Sequence, residues 1–177
     1  MTVLALVIAT TLTVVSVPDG GCVLVNGFLG DGEWDSSASA RLDADTEIRV
    51  HKDGSGLFLA IAFQGPRHTG VDLYLRSHER TRMLHVSSAL GEKVLDEGRW
   101  AEMSWGRNSW WSANVVGTIV EGDRQRFLEP EAFEFQLDRR ELGADVYLFV
   151  HLKRPEKSLP LGVSQEAPEK WMRLRLE

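Results

Sequence analysis

The sequence predicts an all-β protein: an antiparallel, jelly-roll-like β-sandwich of two packed sheets with at most one short helical turn. Apolar and polar residues alternate in short runs along most of the chain, which is the pattern of half-buried strands. Turn-forming Pro, Asp and Gly residues separate these runs, as expected between strands. Helical character is confined to 138–142. Many short strands at this spacing are typical of sandwiches and barrels.

The strands follow from the alternation, taken in chain order. It predicts strands at 47–51, 57–63, 71–76, 133–138, 146–152 and 172–177, with a long surface loop at 154–170. The run 57–63 is apolar at every position, as in a central strand covered on both faces. Because one face of each strand must be buried when two sheets pack, the predicted core consists of Ile48, Val50, Leu57, Leu59, Ile61, Val71, Leu73, Leu75, Phe133, Phe135, Val146, Leu148, Val150 and Leu174.

Length and composition limit the class of protein. The 177 residues, 43% hydrophobic and 26% charged, suit one domain with its own core, which we place at 17–177. A single cysteine, Cys22, excludes an intrachain disulfide and a Cys-based zinc site. The net charge of -6 argues against nucleic acid as a partner, because phosphate binding needs a concentrated basic surface.

The first 16 residues have two interpretations. They are apolar and uncharged at every side chain, which suits the hydrophobic region of a signal peptide, but the usual basic start is missing. The alternative is a first β-strand within 12–17, which is rich in Thr and Val. The segment is short for a membrane span, which needs about 20 apolar residues. A signal predicts an extracellular or periplasmic protein with a mature start near Val17; otherwise the protein is cytoplasmic.

An acidic loop near the N-terminus is a candidate calcium site. Asp31, Glu33 and Asp35 stand at alternate positions in a Gly-rich turn beside Trp34. Calcium takes six to eight oxygen ligands, and only part of such a set is visible. The favoured interpretation is therefore a solvated turn with the tryptophan packed over the core edge.

No catalytic motif singles out an enzyme. The sequence has no HExxH zinc motif, no GxSxG elbow, no P-loop and no dinucleotide fingerprint. His85 lies between apolar residues, which favours a structural imidazole, while His51 and His151 fall on the polar sides of their strands and are expected to be exposed. Glu33, Asp72 and Glu134 offer carboxylates, but the sequence does not place two of them together.

A tryptophan-rich segment is the strongest candidate for ligand binding. Four of the six tryptophans fall within 100–111, and aromatic walls with a few polar groups are typical of ligand sites. The predicted ligand-binding residues are Trp105, Arg107, Asn108, Trp110 and Trp111. The alternative is that the indoles plug an open end of the sandwich. Adjacent residues of a strand face opposite ways, which predicts that at most one of Trp110 and Trp111 belongs to the core.

The order of several motifs resembles the family-nine carbohydrate-binding modules and the related DOMON-like sandwiches. The segment 25–35 (VNGFLGDGEWD) resembles the DG-x-x-DE-W opening, with Asn26 in place of Asp. The strand and turn at 50–60 resemble the next element, and 133–142 resembles the E-x-x-IP-x-x-x-L segment. The end, 171–176, matches the closing W-x-x-L. The segments 84–88 and 90–92 resemble those of a subgroup of bacterial proteins within this superfamily.

The resemblance covers nearly the whole chain and implies a β-sandwich with sugar binding between aromatic rings and a structural calcium. The same fold also serves haem-binding and purely structural modules, so it does not decide function. We therefore predict a non-catalytic binding module for carbohydrate. A structural or partner-binding domain of the cell envelope, and a hydrolase or lyase with a carboxylate or histidine site, are the alternatives.

Overall fold

The computed structural model describes residues 13–30, 32–106 and 109–177. The predictions made for 1–12, Asp31, Arg107 and Asn108 lie outside these residues. The described part of the chain forms β1 (Val14–Ser16), β2 (Ala38–Arg41), β3 (Thr46–Lys52), β4 (Gly56–Phe63), β5 (Gly70–Ser77), β6 (Arg80–Val86), β7 (Leu90–Asp96), β8 (Arg99–Trp100), β9 (Ser104–Trp105), β10 (Trp111–Ala113), β11 (Gly117–Glu121), β12 (Arg124–Leu128), β13 (Ala132–Asp138), β14 (Asp145–Lys153), β15 (Lys157–Leu159) and β16 (Met172–Arg175).

Two sheets form the sandwich. The larger has the strand order β1-β16-β14-β5-β6-β7-β8, with β15 beside β14 and β9 beside β7. The smaller has the order β10-β13-β4-β3-β2, and β11 and β12 form a separate hairpin. Neighbouring strands are antiparallel except β1 and β16, which run parallel. The predicted all-β sandwich is confirmed.

The core lies between the sheets, where the alternation predicts it. All fourteen predicted core residues are buried and belong to one apolar cluster. The cross-strand register explains why, since it aligns apolar residues on the inner faces: Leu148 lies opposite Leu75 and Met172. The strand β4 is central in its sheet and buried over most of its length, as the apolar run at 57–63 predicts. The predicted helical turn is a 3₁₀ turn at Arg139–Glu141, and a second one follows at Pro168–Lys170.

Cover segments bury part of each outer face, which the alternation alone does not predict. The N-terminal cover is the segment before β2 that contains Val23 and Trp34. These two residues pack on the outer face of the smaller sheet against Phe58. The C-terminal cover is the segment before β16 that contains Val163 and Trp171. These residues pack on the larger sheet against outward-facing residues such as Phe149. The rings of Phe149 and Trp171 are stacked, with centroids 5.8 Å apart. The sandwich therefore has four packed layers over much of its area.

The expectation that His51 is exposed is wrong, because the N-terminal cover buries it completely. Its ring hydrogen-bonds with Ser37 Oγ at 2.8 Å and with the Gly21 carbonyl at 2.9 Å, and it packs 5.1 Å from the Trp34 ring. Burial lowers the pKa of His51, because desolvation disfavours the charged imidazolium. A Cβ at Gly20 would lie 2.6 Å from this ring, so glycine is needed for the cover to approach it.

We expect Leu148→Ala to destabilise the fold by about 2–5 kcal/mol, because it removes a fully buried side chain and leaves a cavity. Chemical denaturation measures the loss. The control is Leu161→Ala, at a leucine that is 57% exposed, which should change stability by less than about 0.5 kcal/mol. Equal effects of the two substitutions would contradict the assigned core.

The strand β1 gives the signal-peptide hypothesis a structural test. Val14–Ser16 pair with Arg173–Arg175, and the Val17 N–H donates to the Arg175 carbonyl at 2.8 Å. A chain that begins at Val17 loses this strand, including the buried Val15, so we expect it to melt at a lower temperature than a chain that begins at Thr13. N-terminal sequencing of protein from the native host shows which start is used. Equal melting temperatures would mean that β1 is dispensable and compatible with cleavage after Ser16.

Candidate functional site

Trp105 is the most exposed tryptophan of the described residues, at 62%. It lies on the edge strand β9, opposite Gly91 of β7, on the outer face of the larger sheet. Its ring meets the His85 ring edge-on, with centroids 5.6 Å apart at 87°. A Cβ at Gly91 would lie 3.0 Å from the indole and 2.7 Å from Met103 Sδ, so this glycine lets the indole lie close to the sheet.

Trp110 and Trp111 are both buried in the main core cluster, which corrects the expectation that at most one of them belongs to the core. The expectation assumed that both residues lie in a strand. Strand β10 begins only at Trp111, and Trp110 lies in the bend before it, so the two side chains need not alternate. Both indole N–H groups donate to Glu92 Oε2, at 3.1 and 3.3 Å.

A buried ion pair completes this cluster at one end of the sandwich. The Arg82 guanidinium lies 4.1 Å from the centre of a Trp110 ring and 3.8 Å from Glu92 Oε1. It also donates to Glu141 Oε2 at 2.9 Å. Burying a charge is costly unless it is paired and hydrogen-bonded, and here the indoles and the guanidinium satisfy the Glu92 carboxylate.

An open cavity of about 560 Å³ lies next to the two buried indoles. Its lining includes Trp110, Trp111, Ser112, Gln136 and Arg140. The wall therefore combines aromatic edges with hydroxyl, amide and charged groups. Trp110 also lines a smaller cavity of about 230 Å³, together with Arg82 and Glu141.

Polar residues form a row across the outer face of the larger sheet, starting at Trp105. The register of the paired strands makes successive neighbours of the following residues: Trp105, Gly91, His85, Asp72, His151 and Ser158. The C-terminal cover packs on the neighbouring rows around Tyr74 and Phe149. His85 stays half-buried, as does His151, so the expectation of an exposed His151 holds only in part.

The imidazole of His85 is hydrogen-bonded at both nitrogens, as a structural histidine would be. Nδ1 lies 2.6 Å from Asp72 Oδ1, and Nε2 lies 2.9 Å from Ser87 Oγ. The second Asp72 oxygen, Oδ2, accepts from Lys153 Nζ at 2.7 Å. The carboxylate is thus fixed on both sides while the Ser87 side of the ring faces the rim of the sheet.

Glu134 is the polar residue whose position the sequence predicted least well. It lies on the polar side of its alternating strand, yet it is fully buried beneath the N-terminal cover. Its carboxylate accepts the backbone N–H groups of Asn26 and Gly27, at 2.9 and 2.7 Å, and the Trp34 indole N–H at 3.1 Å. Burial raises the pKa of Glu134 to about 7, against the opposing effect of these three donors.

The structure describes two of the three candidate calcium ligands of the acidic loop, Glu33 and Asp35. Glu33 Oε2 is buried without a hydrogen-bond partner, while Asp35 is exposed. Among the described residues, no three His, Cys, Asp or Glu side chains converge to hold a metal. Asp31 lies outside these residues, so the calcium site at this loop stays a prediction.

No protein-family model and no curated protein matches this chain. A crystal structure described as a "putative carbohydrate-binding protein" from Bacteroides uniformis ATCC 8492 is 11% identical, with a TM-score of 0.56, over 94% of this chain and 100% of that one. A carbohydrate binding module family 9 from Caldicellulosiruptor kristjanssonii, in complex with cellotriose, is 11% identical, with a TM-score of 0.49, over 94% of each chain. The similarity to the Bacteroides uniformis structure confirms the β-sandwich fold that the sequence resemblance implies.

The described residues contain no helix that is long and apolar enough to cross a membrane.

The buried Glu134 predicts a pH-dependent stability. Its pKa is raised from 4.5 to about 7 in the folded protein, so the folded state holds a proton that the unfolded state releases. The stabilisation, on the order of 3 kcal/mol, is complete below pH 4.5 and is lost as pH rises through 7.

Melting curves of the wild type and Glu134→Gln from pH 4 to 8 measure this effect. The difference between them isolates Glu134 from other titrating groups such as His51. We expect the wild type's advantage to be largest at low pH and to shrink as pH rises. An advantage that is constant or grows with pH would contradict the assignment.

Proposed function

We propose that the protein is a carbohydrate-binding module whose sugar stacks on Trp105. The observation that carries the proposal is an indole with most of its surface in water, 62% exposed, held in place by Gly91 and the His85 ring. An exposed aromatic side chain fixed on a rigid sheet is a low-entropy contact surface, and the apolar C–H face of a sugar ring matches it. The similar Bacteroides uniformis structure, described as carbohydrate-binding, adds the same fold.

The polar contacts of the proposed site come from His85 and from residues that follow Trp105 in the sequence. His85 lies beneath one edge, and Arg107 and Asn108 follow Trp105 in the sequence. We propose that the guanidinium and amide bond sugar hydroxyls, since a few polar groups around an aromatic wall give orientation and specificity. Trp110 and Trp111 are buried and offer a ligand only the parts that line the cavities beside them.

The proposal predicts that Trp105→Ala loses glycan binding, whereas Trp111→Ala loses fold stability. Trp105→Ala should weaken glycan binding by about 2 kcal/mol, or about 30-fold, with little change in melting temperature. Trp111→Ala should instead cost about 3–5 kcal/mol of stability, because that indole is buried in the core.

Calorimetric titration with a glycan panel, together with thermal melts of each variant, measures both effects. Trp100→Ala is the matched control, since Trp100 is also a partly exposed tryptophan of the larger sheet but contacts Tyr74 instead. The proposal fails if no glycan binds the wild type, or if Trp105→Ala binds as tightly as the wild type does.

A further inference from the structure

We propose that Ser87, His85 and Asp72 form a nucleophilic relay that hydrolyses acyl esters, a reaction that goes beyond carbohydrate binding. The choice of substrate, an O-acylated sugar, rests on the proposed function of Trp105, whereas the relay itself does not. It gives specific residues to the hydrolase alternative that the sequence leaves open.

The three side chains have the connectivity that an activated serine needs. Ser87 Oγ lies 2.9 Å from His85 Nε2, and Asp72 Oδ1 lies 2.6 Å from His85 Nδ1. A nucleophile within hydrogen-bond reach of a base, with that base oriented by a third group, is the geometry by which such sites are recognised on unrelated folds. The absence of a GxSxG elbow from the sequence does not bear on it, because that motif belongs to one fold.

The sheet fixes two members of the relay. Asp72 and His85 are directly opposite in the β5–β6 register. Ser87 is the second residue after His85 and lies in the bend that follows β6, where its hydrogen bond with the imidazole holds it. Both His85 and Ser87 are half-buried, so each keeps part of its surface in solvent. Strands position catalytic groups better than loops do, and here they hold the base and the carboxylate that orients it.

The contact between Lys153 and Asp72 indicates the role of Asp72 in the relay. The Lys153 ammonium lies 2.7 Å from Asp72 Oδ2, and this ion pair fixes the orientation of the carboxylate, whose side chain is 7% exposed. In the proposed relay, the other oxygen, Oδ1, accepts a hydrogen bond from the His85 Nδ1–H group, which leaves Nε2 free to accept the Ser87 hydroxyl proton. Asp72 is thus a positioning residue, and Ser87 and His85 are the catalytic residues.

Trp105 brings the substrate to the relay. Its ring contacts the His85 ring, with centroids 5.6 Å apart, so a sugar stacked on the indole is held next to the base of the relay. This contact is the reason for choosing acylated sugars over other esters.

Each step of the reaction balances. Ser87 Oγ attacks the ester carbonyl carbon while its proton passes to His85 Nε2. The carbon–oxygen bond to the sugar then breaks, and His85 returns the proton to the leaving oxygen, which departs as the alcohol. Water attacks the acyl-serine and gives its proton to His85, which returns it to Ser87 Oγ as the carboxylic acid leaves. Donors for the oxyanion, worth about 10²–10³-fold in rate, are not part of the relay, so we expect slow turnover.

Covalent labelling is the decisive experiment, because it needs no sugar. We expect a fluorophosphonate probe to label the wild type at Ser87, located by peptide mass spectrometry, and p-nitrophenyl acetate to be hydrolysed. Ser87→Ala and His85→Ala should lose at least ten-fold in both. The matched controls Ser88→Ala and Ser158→Ala should leave both unchanged, although Ser158 Oγ is also 2.9 Å from a histidine nitrogen, that of His151.

Asp72→Asn tests the positioning role with a signal that a merely structural residue would not move. In the wild type, ¹⁵N NMR of the His85 ring should place the neutral proton on Nδ1. In Asp72→Asn the labelling rate should fall and the proton should move toward Nε2, where it blocks acceptance from Ser87.

The outcomes separate this proposal from the proposed function. Failure to label Ser87, or labelling that persists in Ser87→Ala, overturns the relay even if glycans bind. Labelling at Ser87 without any glycan binding supports the relay but overturns the argument from Trp105 that its substrate is an acylated sugar. Release of acetate from glucose pentaacetate by the wild type, but not by Ser87→Ala, supports both the relay and its substrate class.

Discussion

The apolar layer between the two sheets leaves almost no room for polar side chains, and the other features of the structure follow from this constraint. Because inward positions are taken by residues such as Leu73, Leu148 and Phe135, most polar residues of the same strands face outward. Arg82 and Glu92 share the inward rows with leucines and form the buried ion pair. Two cover segments then bury part of those outer faces. Polar groups beneath a cover must find fixed partners, while those beyond its edge stay accessible.

Three carboxylates illustrate how the protein meets this requirement. Glu134, beneath the N-terminal cover, is satisfied by two backbone N–H groups and an indole. Glu92, at the end of the sandwich, is satisfied by two indoles beside a guanidinium. Asp72, at the edge of the C-terminal cover, is held by Lys153 and His85. Of these, Asp72 is the one that orients a histidine next to a hydroxyl group, since His85 also hydrogen-bonds with Ser87, which is why the proposed chemistry lies there.

The tryptophans divide into structural and exposed groups according to the same geometry. Trp34 and Trp171 belong to the covers, and Trp110 and Trp111 close one end of the core. Trp105 lies on a two-residue edge strand, beyond the cover, and its indole remains in water. The tryptophans of the cluster at 100–111 therefore differ in exposure: Trp110 and Trp111 are buried, Trp100 is partly exposed, and Trp105 is the most exposed of them.

The sequence alone determined the sandwich, its central strand and its core, because period-two alternation depends only on which face of a strand is buried. It also predicted the 3₁₀ turn after β13, but with at most one helical turn expected it missed the second, at Pro168–Lys170. It could not place Glu134 and His51 in the interior, since their burial depends on a cover that packs from about 100 and 30 residues away in the chain. Nor could it decide which tryptophans reach solvent or bring Asp72 to His85. Those outcomes depend on strand register and on where each cover ends, and only the tertiary structure sets both.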